Sequence, residues 1–292
     1  MRVLHVTDLH LLPHLPSVPW SDWLGKRFTG AFNYFWNRKG QFASAPEKLA
    51  ALAVFAREHG VDAVLCTGDF TLWATELELR SSRRAIQPLV DSVAAFVTLP
   101  GNHDVYTHGA LAERRFARHF GDLMESDLPD ASVDGRWPIV RLLGSEVAAV
   151  VVNSAIPHSV PWRSTGRIPA AQLGALRRLL ADERLSGRFV FVMTHHAPLL
   201  ADGGADSEHH RLENASEFLD ACRGLKTGAV LCGHVHRCYE TPIDGTNARL
   251  FNGGSATLTG AESFWLFDVG AERITARRGE WHEGRYRLAE NG

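Results

Sequence analysis

The stretch Ala95-Phe-Val-Thr-Leu-Pro-Gly-Asn-His-Asp104 decides how the chain is read. A short run of strand-forming residues stops at a Pro-Gly turn, and three side chains able to meet a cation or a phosphate follow at once. The same arrangement recurs along the chain. Arg2–Thr7 is followed by Asp8-Leu9-His10, Asp62–Thr67 by Gly68-Asp69, Phe189–Thr194 by His195-His196-Ala197-Pro198, and Ala229–Cys232 by Gly233-His234-Val235-His236. In open α/β sheets, ligands bind beyond the carboxyl ends of the strands, so these groups are expected to converge on one cleft.

Around these stretches the chain reads as α/β. The strands, with Glu146–Val152 added, are short and show little alternation, as expected of strands covered on both faces. Helices are predicted between them. Ser44-Ala-Pro-Glu47 has the form of a capping box opening a helix to about His59. Glu76–Ala94 (kinked or split at Pro88), Gly109–Phe120, Ala170–Ala181 and Asn214–Arg223 are the others. Ile139–Leu143 and Glu146–Val152 form a hairpin pattern. Arg249–Asn252, Phe264–Val269 and Ile274–Trp281 are strand-like with no helix between them, which points to a second sheet with antiparallel pairs. No linker, repeat or low-complexity stretch divides residues 1–292, so a single domain is expected.

Composition narrows the classes. Of 292 residues, 45% are hydrophobic and 22% charged, as in a globular enzyme rather than a disordered chain or a fibre. Lys and Arg total 31 against 33 Asp and Glu, so no bulk positive field favours a nucleic acid, and none is expected as a partner. No apolar run is long enough to span a membrane, and the first strand begins without a secretory signal pattern; a cytoplasmic location is the expectation. Cys66, Cys222, Cys232 and Cys238 have no metal-binding spacing, and Cys66 and Cys232 fall in apolar runs, as reduced core residues do.

One segment departs from the pattern. Leu11–Phe42 is far longer than an ordinary strand-to-helix loop. Trp20, Trp23, Leu24, Phe28, Phe32, Phe35 and Trp36 recur in steps that make one aromatic helical face, with Lys26, Arg27, Arg38 and Lys39 among and beyond them. It reads as a docked cap or lid over the cleft, or as a peripheral lipid contact through residues 20–39.

The donor types restrict the chemistry. Imidazole, carboxylate and amide oxygen without thiolate suit Mn, Fe, Zn or Ni rather than a structural zinc. A carboxylate such as Asp69 can bridge two ions, and two ions roughly 3.5–4 Å apart clamp a phosphate and activate a water. His5, His14, His59, His119, His158 and His282 fall outside the pattern and are expected to be structural or solvated. His196 either touches substrate or packs beside the site. His209, His210 and Arg211 follow a Gly/Asp-rich loop that could reach a phosphate or remain solvated.

The ordered set Asp8-x-His10, Gly68-Asp69, Gly101-Asn102-His103-Asp104, His195-His196-x-Pro198 and Gly233-His234-x-His236 resembles the calcineurin-like metallophosphoesterases, closest to the class III cyclic-nucleotide phosphodiesterase and glycerophosphodiesterase branch. The resemblance implies a four-layer α/β/β/α sandwich of two mixed sheets, with the metal site at the strand carboxyl ends. It implies one ion on Asp8, His10, Asp69 and His236, and a second on Asp69, Asn102, His195 and His234, with Asp69 bridging. His103 would protonate the leaving oxygen or stabilise charge, and Asp104 would orient it. The implied reaction is hydrolysis of a phosphodiester by a hydroxide shared between the ions. Purple acid phosphatases carry a tyrosine where Leu72 stands, so Mn or Fe(II) is the expected metal, with zinc also compatible. The alternatives are a pyrophosphatase acting on a lipid-linked nucleotide, suggested by the aromatic segment, and a non-catalytic metal-binding scaffold.

Overall fold

The computed structural model describes residues 1–12, 40–160, 162–270 and 274–289, and the twelve strands among them form two six-stranded sheets. In the first sheet β1 (Arg2–Val6), β2 (Ala63–Cys66) and β3 (Ala95–Thr98) run parallel. On the other side of β1, the strands β10 (Ser263–Val269), β11 (Ile274–His282) and β12 (Arg285–Leu288) are antiparallel. The second sheet has the order β4 (Ile139–Leu143), β5 (Val147–Val151), β6 (Phe189–Met193), β7 (Gly228–Cys232), β9 (Arg249–Gly253) and β8 (Cys238–Pro242). Its four central strands are parallel, and β4 and β8 are antiparallel edges.

Side-chain alternation explains the layering. Along β10, Phe264 faces helix α1 (Ala45–Glu58), where it meets Phe55 at a centroid distance of 4.8 Å. Its neighbours Trp265 and Phe267 face the second sheet and meet Phe251 of β9 at 5.3 and 5.0 Å. The outer face of the second sheet (Ala148, Val150, Val192, Val230) packs with Leu173, Leu176 and Phe218 of α6 (Ala170–Leu180) and α7 (Ala215–Cys222). Helix, sheet, sheet and helix thus stack in four layers, because each sheet has two apolar faces and one buried side can cover the other. Val6, Cys66 and Thr98 share one register line, so the carboxyl ends of β1, β2 and β3 are flush.

Several expectations change. A second sheet and antiparallel pairs are present as expected, but the final strands are divided between the sheets: β10–β12 extend the first sheet from β1, and β9 lies parallel to β7 in the second. β8 and β12 escape sequence reading because both are edge strands, where a polar run such as Cys238-Tyr-Glu-Thr-Pro242 is tolerated. The helix expected over 76–94 is split, as Pro88 leads one to expect, into α2 (Glu76–Ala85) and α3 (Gln87–Val90), with Pro88 in the first turn of α3; the two end at Val90 rather than Ala94. Gly109–Phe120 is likewise two helices, α4 (His108–Ala112) and α5 (Arg115–Phe120), broken where Arg114 takes φ 54°. Ser44 precedes α1 without capping it through its side chain, whereas a reciprocal capping box joins Thr75 and Glu78 at α2.

The aromatic face (Trp20, Trp23, Leu24, Phe28, Phe32, Phe35, Trp36) and its basic companions lie outside the described residues, as does His14. Their flanks are placed: Leu11 and Phe42 are buried, and the Phe42 ring lies 4.8 Å from that of His10. Among the described residues, no helix is long and apolar enough to cross a membrane.

Candidate metal centre

All seven expected ligands come together at the carboxyl ends of the strands. Asp8, His10, Asp69, His234 and His236 all have positive φ, between 37° and 76°, and make up five of the eight such non-glycine residues among those described. Left-handed backbone at bulky residues costs energy and persists where the surroundings impose it. Here the constraint is visible: Asp8 N donates to Gly68 O (2.9 Å), His10 N to Asp69 O (3.0 Å) and Gly233 N to His195 O (2.9 Å). Glycine is needed for close approach, since a Cβ at Gly101 would overlap the Asp69 carboxylate and one at Gly233 would overlap Thr7 and Asp8.

The carboxylates are aimed by their second oxygens. Asp8 Oδ2 accepts from Thr7 Oγ1 (2.7 Å) and from His234 N (2.9 Å). Its Oδ1 is buried and has no hydrogen bond among the described residues, yet lies 3.0 Å from His236 Nε2 and 3.6 Å from His10 Nε2. Asp69 Oδ1 accepts from His103 N (2.9 Å), while Oδ2 lies 3.8 Å from His10 Nε2 and 3.4 Å from His195 Nε2. On the far side, Asn102 Oδ1 is 3.0 Å from His195 Nε2 and 2.9 Å from His234 Nδ1.

Backbone carbonyls select the inward nitrogen of three of the four rings. His10 Nδ1 donates to Thr71 O (3.0 Å), His195 Nδ1 to Thr67 O (2.7 Å), and His234 Nε2 to His210 O (3.0 Å). The nitrogens left facing the cleft are Nε2, Nε2 and Nδ1, as in the outer-shell arrangement of metal-binding imidazoles. Asp8, His10 and His236 offer donor atoms within 4.8 Å of one another, as do Asp8, Asp69 and His195. Without a cation this is an unfavourable assembly of buried donors, so the residues present fit a metal.

Electrostatics follow from burial and crowding. Burial opposes the charge on Asp8 and Asp69, but the surrounding histidines, chiefly His236 for Asp8 and His195 for Asp69, hold both carboxyls well below the usual carboxylate range. Burial also opposes protonation of His195, yet the Asp69 carboxylate pushes it up to about 9. Burial and the neighbouring His195 push His234 down to about 3.

One supporting residue differs from expectation, and for another the structure selects between the two readings left open. Asp104 does not orient the His103 ring. Its carboxylate accepts from the backbone N–H groups of Asp69 (2.8 Å), Phe70 (3.0 Å), Thr71 (3.1 Å) and Gly101 (3.0 Å), binding the two loops together. The His103 ring is oriented by Leu72 O, which accepts from Nδ1 at 2.7 Å, and lies edge-on to His10. His196 is fully buried; Nδ1 bonds to Ser154 Oγ (2.8 Å), Nε2 donates to Ser164 O (3.1 Å), and the ring lies 4.4 Å from that of His234. It packs behind the site rather than facing a substrate. His209, His210 and Arg211 are exposed, although the His210 carbonyl anchors His234. His5 is buried against Thr67 in the core.

Sequence reading missed Ser255 and Thr257. Ser255 Oγ donates to Asp8 O (2.6 Å) and Thr257 Oγ1 to Leu9 O (2.6 Å), so the loop between β9 and β10 clamps the first metal-binding loop.

The sequence profile of the calcineurin-like phosphoesterases matches residues 1–238. The chain belongs to this family. Its fold is shared with solved structures of low identity. A dimetal phosphatase from Danio rerio is 13% identical with a TM-score of 0.63, covering 94% of this chain and 95% of that one. Purple acid phosphatase PPD1 from yellow lupin is 11% identical with a TM-score of 0.59, covering 95% of this chain and 51% of that one. TT1561 of Thermus thermophilus is 12% identical with a TM-score of 0.52, covering 94% and 97%. No curated protein sequence matches the chain. Calcineurin-like phosphoesterases bind two divalent metals, and the Asp and His groups of this member are arranged to hold them.

Proposed function

We propose that the protein is a dinuclear metal-dependent hydrolase of phosphodiesters. The observation that carries this reading is the position of Asp69 Oδ2 between His10 Nε2 and His195 Nε2, at 3.8 and 3.4 Å, with further donors on either side. Asp8, His10, Asp69 and His236 would hold one ion, and Asp69, Asn102, His195 and His234 the other. Imidazole, carboxylate and amide oxygen suit Mn or Fe(II), and zinc is also compatible. Two such ions, when bound, neutralise charge on the phosphate oxygens and lower the pKa of a water held between them.

The chain supplies the rest. Asp104 holds the loops bearing Asp69 and Asn102 at fixed separation through backbone amides. His103, with Nδ1 held by Leu72 O, presents Nε2 as the nitrogen that would give a proton to the departing alkoxide. The preference for diesters rests on the likeness of the five motifs to the cyclic-nucleotide and glycerophosphodiester branch.

The test is hydrolysis of bis-(p-nitrophenyl) phosphate by protein stripped with chelator and reloaded with Mn. Turnover that returns only on reloading supports the reading. Two bound ions per chain without turnover of this or any other diester would overturn it, and would favour a non-catalytic scaffold.

A further inference from the structure

A cavity of about 200 Å³ opens next to the metal centre, on the side of β3 and β5. Its position follows from chain geometry. Pro100 and Val105 line it, and each is two residues from Asn102 or His103, so their Cα atoms lie within ~7.6 Å of those residues. Ile139 pairs with Val151, so the segment leading into β4 lies beyond the carboxyl end of β5, the same end as the metal-binding loops. That segment contributes Arg136 and Trp137 to the cavity wall.

The lining is amphipathic. Phe116, Met124 and Trp137 form an apolar wall, and exposed Arg114 and half-buried Arg136 line the same cavity. Arg114 sits at the left-handed break between α4 and α5. Neither guanidinium has a hydrogen bond or ion pair among the described residues. Neighbouring Arg115, in contrast, is engaged by Glu113 and by Ala74 O. Asp134 lies in the same wall, but its Oδ1 is occupied by the backbone N–H groups of Arg136 and Trp137. Partial burial of Arg136 and its nearness to Arg114 disfavour its charge more than Asp134 favours it, a situation an incoming anion relieves. Two arginines lining one cavity beside an apolar wall match an oxyanion carried on a hydrocarbon spacer.

We propose that this cavity is a second subsite for the substrate. It binds a terminal oxyanion group, phosphate or carboxylate, held a few bonds from the phosphodiester that is cleaved. This inference rests on the metal centre being where that diester lies.

The experiment uses the Mn-loaded full chain and p-nitrophenyl phosphodiesters whose second alcohol is an alkyl chain of two to six methylenes. The chain ends in methyl, carboxylate or phosphonate. At the spacer length that spans the two sites, an anionic end is expected to lower KM about tenfold or more relative to methyl. The carboxylate and phosphonate arms tell the two sources of the oxyanion apart. In R114Q/R136Q the ratio of KM values is expected to return to near one, the methyl ester of the same variant serving as internal reference. Arg136→Lys, which keeps the charge, is expected to retain part of the preference. Equal KM at every length, or a preference that survives in R114Q/R136Q, would overturn the subsite. If no ester is hydrolysed, calorimetric Kd values of the same esters decide. Tighter binding of an anionic ester that the double variant loses supports the subsite and removes only the diesterase reading, whereas equal Kd values overturn the subsite.

Discussion

Asn102 Oδ1 and His234 Nδ1 face each other at 2.9 Å, an approach between two acceptors when the proton of neutral His234 sits on Nε2 and is donated in a hydrogen bond to the His210 carbonyl. His234 is held neutral down to about pH 3 by burial and by His195, so no second proton relieves the contact near neutral pH. A cation between the two atoms does. Asn102→Ala is therefore expected to reduce bound metal from two ions per chain toward one, and to lower kcat/KM more than about 100-fold, beyond the loss typical of an outer-shell partner. Metal analysis of the purified variant, with turnover of bis-(p-nitrophenyl) phosphate, checks both numbers. Two tightly held ions in the variant would remove Asn102 from the ligand set.

In the proposed assignment Asp69 is shared between the two sets of donors, so its loss should be felt by both. Asp69→Asn keeps the size and one oxygen but removes the charge that His195 and His10 face. Both ions should bind more weakly, and turnover should fall more than about 100-fold. A single weakened ion, seen as one unchanged step in a calorimetric titration, would argue that Asp69 serves one site only.

The convergence of the candidate ligands was legible in the sequence because strand ends followed by Asp, Asn and His at close spacing have one geometric consequence in a parallel sheet. What holds those ligands was not. Ser255 and Thr257 lie about 250 residues from Asp8 and Leu9, and a lone hydroxyl in a Gly/Ser turn carries no signal of its distant partner. Asp104 was legible as a site residue, but its role was read from its neighbour His103. Only the folded loops reveal that its carboxylate is turned to four backbone amides. The join of β10 to β1 was hidden for a related reason: pairing between the two ends of a chain leaves no local pattern.

His103 is the residue whose contribution should depend on the leaving group. Its Nδ1 is fixed by Leu72 O, and proton transfer from a positioned acid contributes roughly 10²–10⁴-fold. His103→Ala is expected to lose about that much on a simple alkyl ester, whose alkoxide needs the proton, and only a few-fold on a p-nitrophenyl ester. Equal losses on the two esters would assign His103 to charge stabilisation rather than proton donation.

Metal uptake should depend on pH in a defined direction. In the metal-free protein His195 keeps its proton up to about pH 9, because Asp69 outweighs the effect of burial. An ion must displace that proton, so affinity should rise about tenfold per pH unit below 9 and level off above it. His10, also raised by Asp8 and Asp69, should steepen the rise at lower pH. Asp8 and Asp69 are already ionised in this range, and His234 already neutral, so they add no slope. Calorimetry in buffers of different ionisation enthalpy counts the released protons. His195→Gln should release one fewer.

A buried ion pair ties the body of the fold to the metal-binding loop. Lys48 of α1 is 2% exposed, and its Nζ meets Glu262 Oε1 at 2.6 Å while donating to Thr257 O and Thr259 Oγ1, each at 3.0 Å. Thr257 in turn holds the Leu9 carbonyl, one residue from each of Asp8 and His10. Lys48→Met leaves Glu262 buried and unpaired, and breaking such a pair costs about 3–5 kcal/mol. The midpoint of thermal unfolding should fall accordingly. If the pair acts only on stability, Lys48→Met/Glu262→Leu, which removes both charges, should recover much of the midpoint and all of the metal affinity. If the Lys48 contact with Thr257 also holds the loop, the double variant should regain the midpoint but still bind metal more weakly. The second outcome is expected, because neither Met nor Leu can replace the Lys48 hydrogen bond to the Thr257 carbonyl.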